Sequence, residues 1–94
     1  MSDRVAWLEA RSRGAPPALR QRVMAYLDRA GGDGELAADL AEAGRLALRA
    51  ALEQGDRRSA AFDLLAADAL VTLALQAQAD GHPGALRTFA GQLW

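Results

Sequence analysis

From Ser59 to Asp80 the chain reads SAAFDLLAADALVTLALQAQAD, and almost every position is Ala, Leu or another apolar residue. A helix this apolar is buried on most of its circumference, so the pattern predicts a central helix that the rest of the chain must cover. Around it the apolar positions predict four more helices. Ser2 can cap the first, which runs to about Ser12 with Val5 and Leu8 on one side. Arg13-Gly14-Ala15 breaks it. Pro16 and Pro17 open the second, because a helix needs no backbone donor in its first turn. Leu19, Val23, Leu27 and Ala30 form one face of this helix, and Gly31-Gly32 ends it.

Asp33 can cap a third helix from Gly34 to about Gln54. Its stripe is Leu36, Leu40, Ala43, Ala47 and Ala51, widened by Leu48 and Leu52; Asp39, Glu42, Arg45, Arg49 and Glu53 take the opposite, solvated side. Glu42 with Arg45 and Arg49 with Glu53 are helix-neighbour pairs. After Gly55-Asp56 the fourth helix runs from about Arg57 to Asp80. Gly81-His82-Pro83-Gly84 breaks the chain, and Leu86, Phe89, Ala90 and Leu93 space a short fifth helix. A tight connection between two long helices predicts an antiparallel hairpin. Ala37, Ala41, Gly44, Ala47 and Ala51 line the third helix with small side chains. Gly44 costs about 1 kcal/mol against Ala inside a helix, and close approach of the neighbouring helix is the expected return. The fold class is therefore all-α: one domain over residues 1–94, a bundle of about five helices built on that hairpin.

Composition supports this class. Ala and Leu, the best helix formers, carry the 51% hydrophobic content; Val occurs only at positions 5, 23 and 71, and Ile is absent. That argues against a sheet. Net charge is −1 with the two signs interleaved, so the basic patch of a nucleic-acid binder is missing. All eleven basic residues are Arg, which could serve forked anion recognition but equally fits a compositional bias toward Ala, Gly and Arg. Absence of Cys removes disulfides, thiolate metal sites and Cys nucleophiles. Residues 60–79 have the length of a membrane span, but Asp63 and Asp68 would each cost about 2.5–3.5 kcal/mol in mid-bilayer. A buried helix, no membrane span and a cytoplasmic location are the expectations, since the N-terminal residues lack the apolar region of a secretory signal.

Chemistry-bearing positions are sparse. Asp68, Thr72, Gln76 and Asp80 make one polar stripe down the fourth helix; it is either solvent-facing or a polar seam fixing a partner's register. The other two thirds of that helix carries Phe62, Leu64, Leu70, Val71, Leu73 and Leu75. Asp68 and Asp80 lie three turns apart and cannot share one metal. Asp63 and Asp68 point about 140° apart, so they do not form an acid/base pair. His82, the only histidine, sits in a turn with no second ligand beside it. No Ser lies in a nucleophile elbow, and Gly31-Gly32-Asp33-Gly34 is a helix–helix turn rather than a phosphate loop. Leu64 to Ala74, LLAADALVTLA, resembles the LxxGDxLLxxA helix of polyprenyl synthases over about a tenth of the chain. Ala67 stands where that family has Gly, and its aspartate-rich DDxxD motifs are missing, so no residue role carries over.

The functional expectation is a non-enzymatic interaction or assembly module with no cofactor and no metal, whose partner is a second copy of itself, another protein, or both. Leu70, Leu73, Leu86, Phe89, Leu93 and Trp94 are the expected interface of a homodimer, in which a second hairpin completes a four-helix bundle. Two alternatives belong to other classes. One is a carrier of a small apolar ligand in the bundle core. The other is a helix-turn-helix DNA binder using Arg20, Arg22 and Arg29.

Overall fold

A computed structural model describes residues 3–31 and 34–93. They form α1 (Asp3–Arg11), α2 (Pro17–Ala30), α3 (Leu36–Glu53), α4 (Arg57–Gly81), a single 3-10 turn at Pro83–Ala85 and α5 (Leu86–Gly91), with no strand among the described residues. The Ser2 and Asp33 caps and the terminal Trp94 fall outside the described residues. So does Gly32, whereas Gly31 adopts the left-handed φ of 99° that ends α2.

The α3–α4 hairpin is the scaffold, and its two arms are unequal. α3 has 18 residues and α4 has 25, about 27 and 37 Å. α3 begins at Leu36, the first residue of its apolar stripe, rather than at Gly34, and ends at Glu53. Where Asp56 reads as loop, it caps α4: its carboxylate accepts the Ser59 N–H at 2.9 Å. That bond holds the Asp56 carboxyl below its ordinary value. The cap is therefore in place above the ordinary carboxylate range and lost as acid protonates it. The expected result is a helicity loss in Asp56→Ala at neutral pH that vanishes when both chains are compared in strong acid.

Ala37, Leu40, Ala41, Ala43, Ala47 and Ala51 of α3 are buried against Ala66, Ala67, Leu70 and Ala74 of α4. At Gly44 the helices approach closely. A Cβ there would meet Val71 Cγ2 at 3.2 Å and Leu70 Cβ at 3.6 Å, which is the close approach its position predicts. α2 lies across one side of the hairpin and buries Val23, Tyr26 and Leu27; α1 adds Leu8. On the other side lie α5 and the residues after it. Leu93 is past the helix end yet only 5% exposed, and Arg45 fixes it by donating to the Leu93 and Gln92 carbonyls at 3.2 and 3.0 Å.

α4 is long and apolar enough to cross a membrane by length and composition. In this fold 33% of that apolar stretch is buried, and Ala66, Ala67, Leu70, Leu73 and Ala74 form its share of the core against α2 and α3.

Candidate functional site

Asp63 is the most unusual residue of the interior. It sits on the apolar helix and is 0% exposed. Its Oδ1 accepts Arg22 Nη1 and Tyr26 Oη from α2, both at 2.9 Å, and its Oδ2 accepts Gln54 Nε2 from the end of α3 at 3.1 Å. One carboxylate thus joins three helical segments. Arg22 also lies over the Phe62 ring at 4.9 Å, so its guanidinium is held by charge below and a π-face beside it. A buried charge survives only when paired and hydrogen-bonded, and here both oxygens are occupied. The sequence places Asp63 on α4 without a partner, because Arg22 and Tyr26 lie about forty residues away.

The Tyr26 hydroxyl is pushed above its ordinary pKa of 10.0, first by burial and then by its bond to Asp63 and the charge there. Its neutral form is favoured in the fold. Stability from this group is whole below pH 10, and is lost as rising pH ionises the unfolded chain first. Tyr26 is the only tyrosine. Absorbance at the phenolate band should therefore titrate with a midpoint above 10 in the native protein and near 10 in denaturant. Equal midpoints would contradict the hydrogen bond.

The polar stripe of α4 faces solvent: Asp68, Thr72, Gln76 and Asp80 are all exposed. Asp80 is engaged, accepting Trp7 Nε1 at 3.0 Å and Arg11 Nη2 at 2.8 Å, with Arg11 stacked on Trp7. That contact ties α1 to the far end of α4 and puts Trp7 on the rim of the core. His82 is exposed and 3.4 Å from Glu35. No group of three or more metal-ligating side chains occurs among the described residues.

The expected interface residues divide. Leu70, Leu73 and Leu93 are buried in the chain's own core, and Leu86 and Phe89 are half-buried along α5. α2, α3 and the C-terminal segment thus bury Leu70, Leu73 and Leu93 within one chain. Arg22 and Arg29 of the expected DNA-contacting helix are likewise engaged, Arg22 by Asp63 and Arg29 over the Tyr26 ring.

Two positions read as core are not. Leu52, expected to widen the α3 stripe, is 77% exposed; Leu64, placed on the apolar two thirds of α4, is 48% exposed, and its neighbour Leu65 56%. The reason is the length of α5. Ala41, Arg45, Leu48 and Leu52 follow one line down α3, and the bonds of Arg45 identify that line as the α5 side. Six residues of α5 span about 9 Å, so they cover only a part of the hairpin, remote from the α3–α4 turn. Gly44 lies opposite Leu70 and Val71. Counting toward the turn from there brings Leu52 level with Phe62 and Asp63, within a turn of Leu64. Leu52 and Leu64 are thus exposed side by side at the hairpin end, with Leu65 about 100° further round α4.

No family model, curated protein or solved structure matches this chain.

Proposed function

We propose that the protein is a non-enzymatic interaction and assembly module that engages a protein partner through the end of its α3–α4 hairpin. What carries this reading is the exposure of Leu52, Leu64 and Leu65 together. Single exposed leucines are ordinary on any surface, whereas Leu52 and Leu64 at one level of the hairpin, with Leu65 beside them on α4, support a contact site. Asp63, on the opposite, buried side of α4, ties this end of the hairpin to α2 and the end of α3, which favours presenting the leucines in one geometry at little ordering cost.

A photo-reactive residue placed at Leu52 or Leu64, in the cells that make the chain, is expected to give covalent protein adducts. The same residue at exposed Gln76 is expected to give few. Absence of adducts from both patch positions would overturn the reading.

One observation favours the carrier alternative. A notch of about 170 Å³ lies between α1, α2 and α4, lined by Leu8, Leu19, Val23, Met24, Ala69 and Leu73, with Ser12, Thr72 and Arg20 at its rim. Room for a few heavy atoms suits a small apolar molecule. Under this reading, millimolar benzene shifts the Met24 methyl resonance; an unmoved resonance removes the carrier reading.

A further inference from the structure

Down the exposed side of α4, Arg57, Ala61, Leu64 and Asp68 follow each other at i, i+4, i+7 and i+11, and all four are exposed. Eleven residues are three turns, so they lie on one line parallel to the helix axis. Along that line the order is positive, apolar, apolar, negative. Such an order is complementary to itself when reversed. Arg57 lies as far before the midpoint between Phe62 and Asp63 as Asp68 lies beyond it, and Ala61 and Leu64 straddle the same point. Neither Arg57 nor Asp68 has an ion-pair partner among the described residues, although Arg4, Arg11, Arg22 and Arg45 all do.

We infer that the partner at this surface is a second copy of the chain, docked with its α4 antiparallel to the first about a two-fold axis at residues 62–63. This rests on the proposed role of the hairpin end as a contact site. The symmetry sets Arg57 against the partner's Asp68 and, reciprocally, Asp68 against the partner's Arg57, with Ala61 and Leu64 interdigitating between them. The two ion pairs stand about 16 Å apart along the helix and fix the register, as charges flanking an apolar seam do in paired helices. Leu65 and Leu52 flank the seam, one on each side. The contact is small, which places it among weak, reversible associations rather than obligate dimers.

The test is a charge exchange on the full chain. Light scattering with size exclusion should show the mass rising from 9.9 kDa toward twice that between about 10 µM and 1 mM, the range of weak interfaces. Arg57→Asp and Asp68→Arg should each weaken dimerisation by about tenfold, because each sets like charges together twice. The double variant R57D/D68R should recover it to within about threefold, since the same pairs re-form with signs exchanged. All four positions are exposed, so unchanged circular dichroism is expected to confirm that the fold survives. A dimer indifferent to the single reversals, or not recovered by the exchange, overturns the two-fold arrangement. A mass fixed near 9.9 kDa at every concentration overturns the second copy altogether. If adducts at Leu52 and Leu64 persist in that case, the contact surface stands with a different partner. Co-sedimentation of that monomer with anionic phospholipid vesicles would instead assign the patch to a membrane surface.

Discussion

Arg22→Ala is expected to lower the unfolding free energy by about 3 kcal/mol, the low end for removing one partner of a buried ion pair. The Asp63 carboxylate, 0% exposed in the fold, loses the one cation paired with it among the described residues. Tyr26 and Gln54 still donate to it, and the Arg22 side chain is 40% exposed, which together hold the loss near that low end. Replacing the carboxylate itself is expected to do less harm. Asp63→Leu removes the charge and refills most of its volume; Arg22 and Gln54 are close enough to solvent to rehydrate, leaving Tyr26 as the one stranded donor. The expected cost is about 1–2 kcal/mol. Urea unfolding of the two variants checks the order. A carboxyl variant that loses more than the guanidinium variant would mean that the network stabilises through net attraction rather than through compensating a buried charge.

Gly44→Leu is expected to cost about 3 kcal/mol, at the upper end for overpacking. The Cβ alone would reach Val71 Cγ2 at 3.2 Å, Leu70 Cβ at 3.6 Å and the Val71 backbone N at 3.7 Å, so the atoms beyond it have no space unless α3 and α4 separate. Gly44→Ala is a different case. It gains about 1 kcal/mol of helix propensity and needs Val71 to yield by a few tenths of an ångström. The two effects nearly offset, and the change in stability should stay within about 1 kcal/mol. Removing the opposing methyls with Val71→Ala should make Gly44→Ala more favourable than it is alone, a coupling that a double-mutant cycle reads directly. Additive effects would show that the hairpin adjusts by another route.

The sequence by itself determined the helices and their order. Ala/Leu content, the Pro16-Pro17 start, the breaks at Gly31 and at residues 81–84, and the tight turn at Gly55 are local signals read within a few residues. The hairpin and its close approach at Gly44 were legible for the same reason: a glycine among alanines on a helix has one economical use. That Asp68, Thr72, Gln76 and Asp80 form one stripe follows from helical spacing; that the stripe faces solvent does not, and the packing decides it.

Only the tertiary structure decided what each apolar face meets. Periodicity shows that Leu52 and Leu64 lie on apolar lines. It does not show that α5 stops after six residues and leaves them uncovered, because the reach of a covering element is not written in the helix it covers. The same limit hid the Asp63 network. A lone Asp on an apolar helix is the same letter whether it faces water or three donors, and the partners that keep it buried come from α2 and from the end of α3. In the other direction, Leu70, Leu73 and Leu93 carry the pattern of an interface but are buried in one chain. A hydrophobic side chain records that it must leave water, and the packing of the whole chain determines what it leaves water for.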